Sequence, residues 1–120
     1  MAVDTIEVSY ESKRVERCFQ DYEIIARKIG RELAKGLKNR MNHVQAAESF
    51  QEYLKLGLGK PHGLSGNLHG SYGVTITGNV RLIMIPKTSA LDPVSLGQCR
   101  HVIVKGVCDY HDGKNEWIIP

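Results

Sequence analysis

Apolar residues recur with a helical period in the first half of this chain and with a period of two in the second. Ile25, Ile29, Leu33, Leu37, Met41 and Val44 follow one another at spacings of four and three, which places them on one face of a helix. Tyr72 to Thr77 instead alternate, and Val80 to Ile85 read as the return strand. The Gly78-Asn79 pair between them is a two-residue hairpin turn. His101 to Val107 repeats the strand pattern. Helical residues first and strand residues later predict an α+β fold, with helices on one face of an antiparallel β-meander. A chain of 120 residues has room for one domain, 1–120.

The remaining segments fill in this plan. Thr5 to Tyr10 alternate and are rich in strand formers, so a first strand precedes the helices. Ser12 is placed to cap a short helix through Val15, Cys18 and Phe19. A further helical turn or two, carrying Ala46, Phe50, Tyr53 and Leu54, ends at Gly57. The N-terminal half therefore reads as a strand and two helices laid on the meander. Gly30 and Gly36 weaken a helix by about 1 kcal/mol each relative to alanine, and close packing on a sheet is a reason to tolerate them. Residues 57–70 hold five glycines and a proline and read as a long loop. Residues 87–99 are rich in turn formers, with Asp92-Pro93 among them. The tail after His111 turns at Asp112-Gly113 and adds a short strand.

Charge is concentrated rather than large. The whole chain carries +3, whereas residues 27–40 hold Arg27, Lys28, Arg31, Lys35, Lys38 and Arg40 against Glu32 alone. On one helix, positions 27, 31, 35 and 38 fall within about 80° of each other, opposite the apolar stripe. Such a ridge is either a solvated outer face or a surface for phosphates. Three cysteines are an odd and sparse set, which predicts a reducing compartment. The first thirty residues are charged throughout and no apolar stretch approaches the about 20 residues of a membrane span, so a cytoplasmic protein with no membrane partner is expected.

Three chemistries are set aside. Gly57-Leu58-Gly59-Lys60 has Leu54 and Pro61 where a phosphate-binding loop needs a glycine and a hydroxyl residue. Cys99, His101, Cys108 and His111 sit at the two ends of one extended strand, which fits a zinc tetrahedron poorly, so no metal and no cofactor is expected. The same spread, with nothing at Cys108 to activate a thiol, argues against a Cys–His nucleophile. What remains is polar groups at the edges of the meander: His62 in the glycine-rich loop, Tyr72 opening a strand, Arg81 within an apolar strand, and Asp109, Tyr110 and His111 closing the last one. An arginine among apolar strand residues is costly unless it pairs, with Asp109 one candidate, or faces a cleft. His43 and His69 read as surface histidines.

The stretch from Pro61 through His62, Leu64, Gly66, Tyr72 and Arg81, followed by Val102-Ile-Val-Lys-Gly-Val-Cys-Asp-Tyr110-His111, resembles toxins of type II toxin–antitoxin systems. It is similar to the RelE/ParE superfamily, nearest the HigB branch, over roughly residues 50–111 by motif. The resemblance implies a RelE-like fold and a metal-independent endoribonuclease that cuts mRNA on the translating ribosome. It also implies a HigA-like helix-turn-helix antitoxin, with operator DNA bound only through the toxin–antitoxin complex.

The implied reaction is attack of an RNA 2′-OH on the adjacent phosphate, giving a 2′,3′-cyclic phosphate and a 5′-OH. It needs a base, an acid and a cation for the charge that gathers on phosphorus oxygens. Arg81 suits the last part, since its planar fork matches phosphate oxygens and keeps its charge. His62 and His111 are suited to proton transfer near neutral pH, with Tyr110 as base, stacking or positioning group. Asp109 would orient a histidine or Arg81, and Tyr72 would support the set. Arg27, Arg31, Lys35, Lys38, Lys60 and Lys105 would face RNA or the ribosome. Ser65 stands where related loops often carry lysine, the 87–100 segment is longer than usual, and the chain runs nine residues past His111. Two other readings share the fold: a ParE-like gyrase inhibitor without enzymatic activity, and an inactive homologue that acts in operator binding.

Overall fold

A computed structural model describes residues 5–111 and 114–119. Strand β1 (Glu7–Tyr10) is followed by helices α1 (Lys13–Gln20), α2 (Tyr22–Ile29), α3 (Arg31–Ala46) and α4 (Phe50–Leu56). Then come β2 (His62–Gly63), a single 3-10 turn at Gly66–Leu68, β3 (Tyr72–Thr77), β4 (Val80–Pro86), α5 (Pro93–Gln98), β5 (His101–His111) and β6 (Lys114–Ile119). The α+β plan stands: helices pack on a mostly antiparallel sheet ordered β1-β5-β4-β3-β2, with β6 also on β5.

Three elements depart from the expectation. The long apolar stripe is carried by two helices, not one. Gly30, at φ +88°, ends α2 and starts α3: its N–H donates to the Ala26 carbonyl, and its own carbonyl accepts from Ala34 N–H. The stripe crosses the break because both helices lie in the same layer, burying Ile25, Leu37, Met41 and Val44. The first strand joins the sheet in parallel, Glu7 opposite His101 and Tyr10 opposite Val104. The turn-rich segment also contains α5, capped by the Asp92 carboxylate on Ser95 N–H at 3.1 Å, with Pro93 in its first turn and only Leu96 buried.

Helix α3 meets the sheet where Gly36 allows it. A Cβ at that position would lie 2.9 Å from Ile76 Cγ2, so the missing side chain sets the approach of α3 to β3. The core fills the helix side of the sheet with Phe50, Tyr53, Val74, Leu82, Met84, Val102, Val104 and Ile119. Ser12 caps α1 as expected, its hydroxyl accepting from Val15 N–H at 3.2 Å. Cys18, Cys99 and Cys108 are all free thiols and all buried. Among the described residues, no helix is long and apolar enough to cross a membrane.

Burial pushes the Tyr53 phenol up to about 12, against a smaller downward pull from Arg40. Burial likewise pushes the Cys108 thiol up to about 11, with Lys105 pulling the other way. Both groups hold their proton more tightly folded than unfolded. The stability that goes with their neutral form is therefore complete below the unfolded values, 9.0 for the thiol and 10.0 for the phenol, and is lost as pH rises through the folded ones. Urea midpoints should fall above about pH 9, with each group contributing up to about 1.4 kcal/mol per pH unit across its window. Cys108→Ala should remove the earlier part of that fall, and a midpoint that stays flat to pH 12 would contradict the burial of both groups.

Candidate active site

The face of the sheet away from the helices is where the polar residues gather. In a strand, neighbours alternate between faces, and cross-strand partners share one. Arg81 on β4 is opposite Thr75 on β3 and Cys108 on β5, and Ile83 is opposite Gly73 and Gly106. Tyr110, two residues beyond Cys108, lies on the same face. Its ring sits 4.8 Å from the Arg81 guanidinium carbon, a cation–π stack.

The glycine-rich loop forms the opposite wall. Leu64 reaches over Gly73 and the Ile83 side chain: a Cβ on Gly73 would touch Leu64 Cδ2 at 3.4 Å and Ile83 Cδ1 at 3.6 Å. Ile83 is thereby only 1% exposed despite facing away from the core. This contact anchors β2, whose His62 pairs with Gly73 and so faces the same way. The result is a cleft of about 270 Å³ lined by His62, Ser65, Asn67, Arg81, Ile83 and Tyr110, with Gly63, Leu64 and Leu68 completing it.

Within this cleft the charges are unbalanced. Arg81 has no carboxylate within ion-pair distance among the described residues, and its buried Nε has no hydrogen-bond partner there. The expected alternative, an ion pair with Asp109, does not form: Asp109 is opposite Val80, on the other face. His62 is exposed and its Nδ1 lies 3.0 Å from the Lys60 carbonyl. A carbonyl only accepts, so Nδ1 carries the proton and Nε2 is left free for chemistry. A fixed cation, a flat ring and a free imidazole nitrogen around one concavity suit a phosphodiester with an unstacked nucleotide.

The structure does not bring His111 into this cleft. Strand β5 runs through His111, so Tyr110 and His111 are neighbours in an extended strand and face opposite sides. His111 instead lies between two carboxylates, 3.6 Å from Asp109 and 3.4 Å from Glu116. Asp109 thus does accompany a histidine, but not one that meets Arg81. Tyr72 also faces the helices, stacked edge-on against Phe50 with centroids 5.0 Å apart.

The basic residues are dispersed. The break at Gly30 separates Arg27 on α2 from Arg31, Lys35 and Lys38 on α3, so the single ridge becomes two short ones. Arg31 is paired with Glu23 at 3.2 Å, and Lys38 lies 6.0 Å from the Tyr22 ring. Lys105 is bound to Glu11 at 3.3 Å and mostly covered. Lys60, exposed at φ +51°, adjoins His62 and is the basic residue of that set nearest the cleft in sequence.

Gly59, beside Lys60, serves packing: a Cβ there would strike Val74 Cγ1 at 2.6 Å. His69 is exposed, whereas His43 is half-buried with its Nδ1 covered and unpaired, so only His69 is the plain surface residue expected. Among the described residues, no three His, Cys, Asp or Glu side chains converge as a metal site would require. Asn67 and Ser65 are the cleft residues that residue chemistry did not assign a role. Their signal is polarity inside an otherwise glycine-rich loop in which Leu64 and Leu68 are the apolar residues lining the cleft.

No protein-family profile matches the chain. A search of curated proteins also finds no match. Solved structures do match. The YoeB dimer from Staphylococcus aureus superimposes with a TM-score of 0.51 at 20% identity, covering 88% of this chain and 97% of that one. Two structures of the YoeB–YefM complex from the same organism, one described as a heterotetrameric toxin–antitoxin complex, give 0.51 at 21% and 22% identity over the same shares. This chain and YoeB share a fold.

Proposed function

We propose that the protein is the toxin of a type II toxin–antitoxin pair and an endoribonuclease that cuts mRNA on the ribosome. The observation that carries this reading is the unpaired Arg81 guanidinium stacked on Tyr110 across a cleft from His62. An uncompensated cation costs stability unless a ligand of opposite charge is to be bound, and a planar fork suits phosphate. The sequence motifs from Pro61 to His111 and the YoeB-like fold support the same reading. The placing nearest HigB rests on the motifs alone.

The reaction needs no water. The 2′-oxygen of one nucleotide attacks the adjacent phosphorus, the bond from phosphorus to the 5′-oxygen breaks, and a 2′,3′-cyclic phosphate and a 5′-OH result. The 2′-OH proton passes to a base and the leaving 5′-oxygen receives one from an acid. His62 Nε2 takes the first part, because its other nitrogen is committed to the Lys60 carbonyl. The Tyr110 hydroxyl, an O–H donor lining the same cleft, takes the second. Arg81 holds the non-bridging oxygens as their charge grows. No metal enters this scheme. The partner is an antitoxin that silences the toxin, with operator DNA contacted through their complex.

The test separates the two histidines. His62→Ala should lower mRNA cleavage on ribosomes about 100-fold, the usual effect of removing a proton-transfer group. His111→Ala should stay within about threefold of the parent, because His111 faces the other side of the sheet. Mapping message ends in cells expressing each variant reads both. Growth arrest without new message ends, and with gyrase-dependent DNA breaks, would replace this reading by the non-enzymatic one.

A further inference from the structure

The one tryptophan of the chain lies in β6, beyond the residues that carry the motif resemblance. Trp117 is opposite Cys108, which is in turn opposite Arg81. Thr75, Arg81, Cys108 and Trp117 therefore form one row across four strands on the face away from the helices. Arg81 and Trp117 are two strand spacings apart, about 10 Å between backbones. The small, fully buried Cys108 occupies the register position between them.

Two irregularities put the indole there. The pairing of β5 with β6 shifts between Val107 and Cys108, so that Ile119 is opposite Val107 and Trp117 is opposite Cys108. The extra residue lets both Ile118 and Ile119 turn to the core, while Trp117 is left on the other face. Gly106 then leaves space for the ring: a Cβ there would lie 3.3 Å from Trp117 Cζ3. Gly106 is opposite Ile83, the floor of the cleft, so the indole lies next to that floor. It remains 42% exposed while Ile118 and Ile119 after it are drawn inward.

We propose that Trp117 stacks on a nucleobase flanking the phosphate held by Arg81, and so helps set which base is accepted beside the cut. This rests on the RNA-cleavage reading above and adds a specificity residue to its site. A half-exposed indole forgoes part of the free energy that burial would give, and a flat base returns it without discriminating hydrogen bonds. Tyr110 is committed to the Arg81 guanidinium, so the indole is the aromatic face beside the cleft that stays open to a ligand. The preference it confers follows ring area and stacking strength, favouring purines.

A single tryptophan makes the test direct. The probes are end-labelled hexaribonucleotides that differ in base sequence and carry 2′-O-methyl groups, so they cannot be cut. Binding is read from the label's anisotropy, and stacking from the emission of Trp117. Binding should quench that emission, most strongly for purine-containing probes. Trp117→Ala should weaken binding about tenfold, and Trp117→Phe should stay within about threefold. On ribosomes, Trp117→Ala should flatten the base preference of the cut sites.

If the probes bind and Arg81→Ala abolishes binding, yet Trp117 emission is unchanged and Trp117→Ala binds normally, the stacking role is overturned and the cleft reading stands. That outcome would instead fit a protein partner over the indole. If no probe binds the parent protein, the stacking role is overturned, and the RNA-cleavage reading is decided separately by message ends mapped on ribosomes. The quench is read in the unaltered chain, so a poorly folded variant does not decide the matter.

Discussion

Arg81→Ala should lower RNA cleavage by 100-fold or more, with the melting temperature nearly unchanged. Removing one preorganised donor from a site where charge gathers costs about 10²–10³ in rate. The guanidinium touches the Tyr110 ring but no carboxylate among the described residues, so its loss leaves no opposite charge stranded. It also removes an unpaired buried Nε, a small gain in stability that offsets the lost cation–π contact. Arg81→Lys is the informative companion. It keeps the charge but loses the planar fork and the stack, so cleavage should remain at least tenfold below the parent. Cleavage at the parental rate in a folded Arg81→Ala protein would remove the cation from the mechanism and the RNA reading with it. Fold is checked by circular dichroism and activity by primer extension on ribosome-bound message.

The change in hydrophobic period was enough to order the elements, because each period reports on local geometry alone. Ser12 as a cap and Gly78-Asn79 as a hairpin turn are equally local. What was not legible depends on contacts distant in sequence. The parallel pairing of β1 with β5 joins residues more than ninety positions apart, and no pattern within β1 signals it. The break at Gly30 hides inside a stripe that two helices packed on one core continue. Helix α5 carries a cap and a first-turn proline in Asp92-Pro93, but a single buried leucine gives no period to detect.

The candidate site divides along the same line. His62, Arg81 and Tyr110 meet because β2, β4 and β5 share one face. Tyr110 and His111 were expected together at a strand end, where either direction is open. Strand β5 continues through both, and alternation sends one to each face. The parity of strand positions was thus the available signal, and the strand's true length was the missing fact. Tyr72 obeys the same rule: it adjoins Gly73, which faces the cleft, and therefore itself faces Phe50.

Gly106→Ala should be the most destabilising single methyl addition in the sheet. The residue sits at φ +145°, a conformation that costs a residue with a Cβ about 1–3 kcal/mol. An added Cβ would also come within 1.8 Å of the Ile119 carbonyl oxygen, a backbone atom that no rotamer change moves. Relief requires β6 to shift away from β5, which uncovers the fully buried Ile119 and forfeits about 1.5–3 kcal/mol of its burial. The two effects together predict a loss of about 3–5 kcal/mol in urea unfolding. Because β6 carries Trp117, its release should also shift the tryptophan emission to the red before the helices unfold. Gly97→Ala is the contrasting case: that glycine lies in α5 with nothing within 4 Å of an added Cβ, so the change should be neutral or stabilising by up to about 1 kcal/mol. Equal effects at the two positions would mean that β6 does not pass over Gly106, and the indole would then lose its seat beside the cleft.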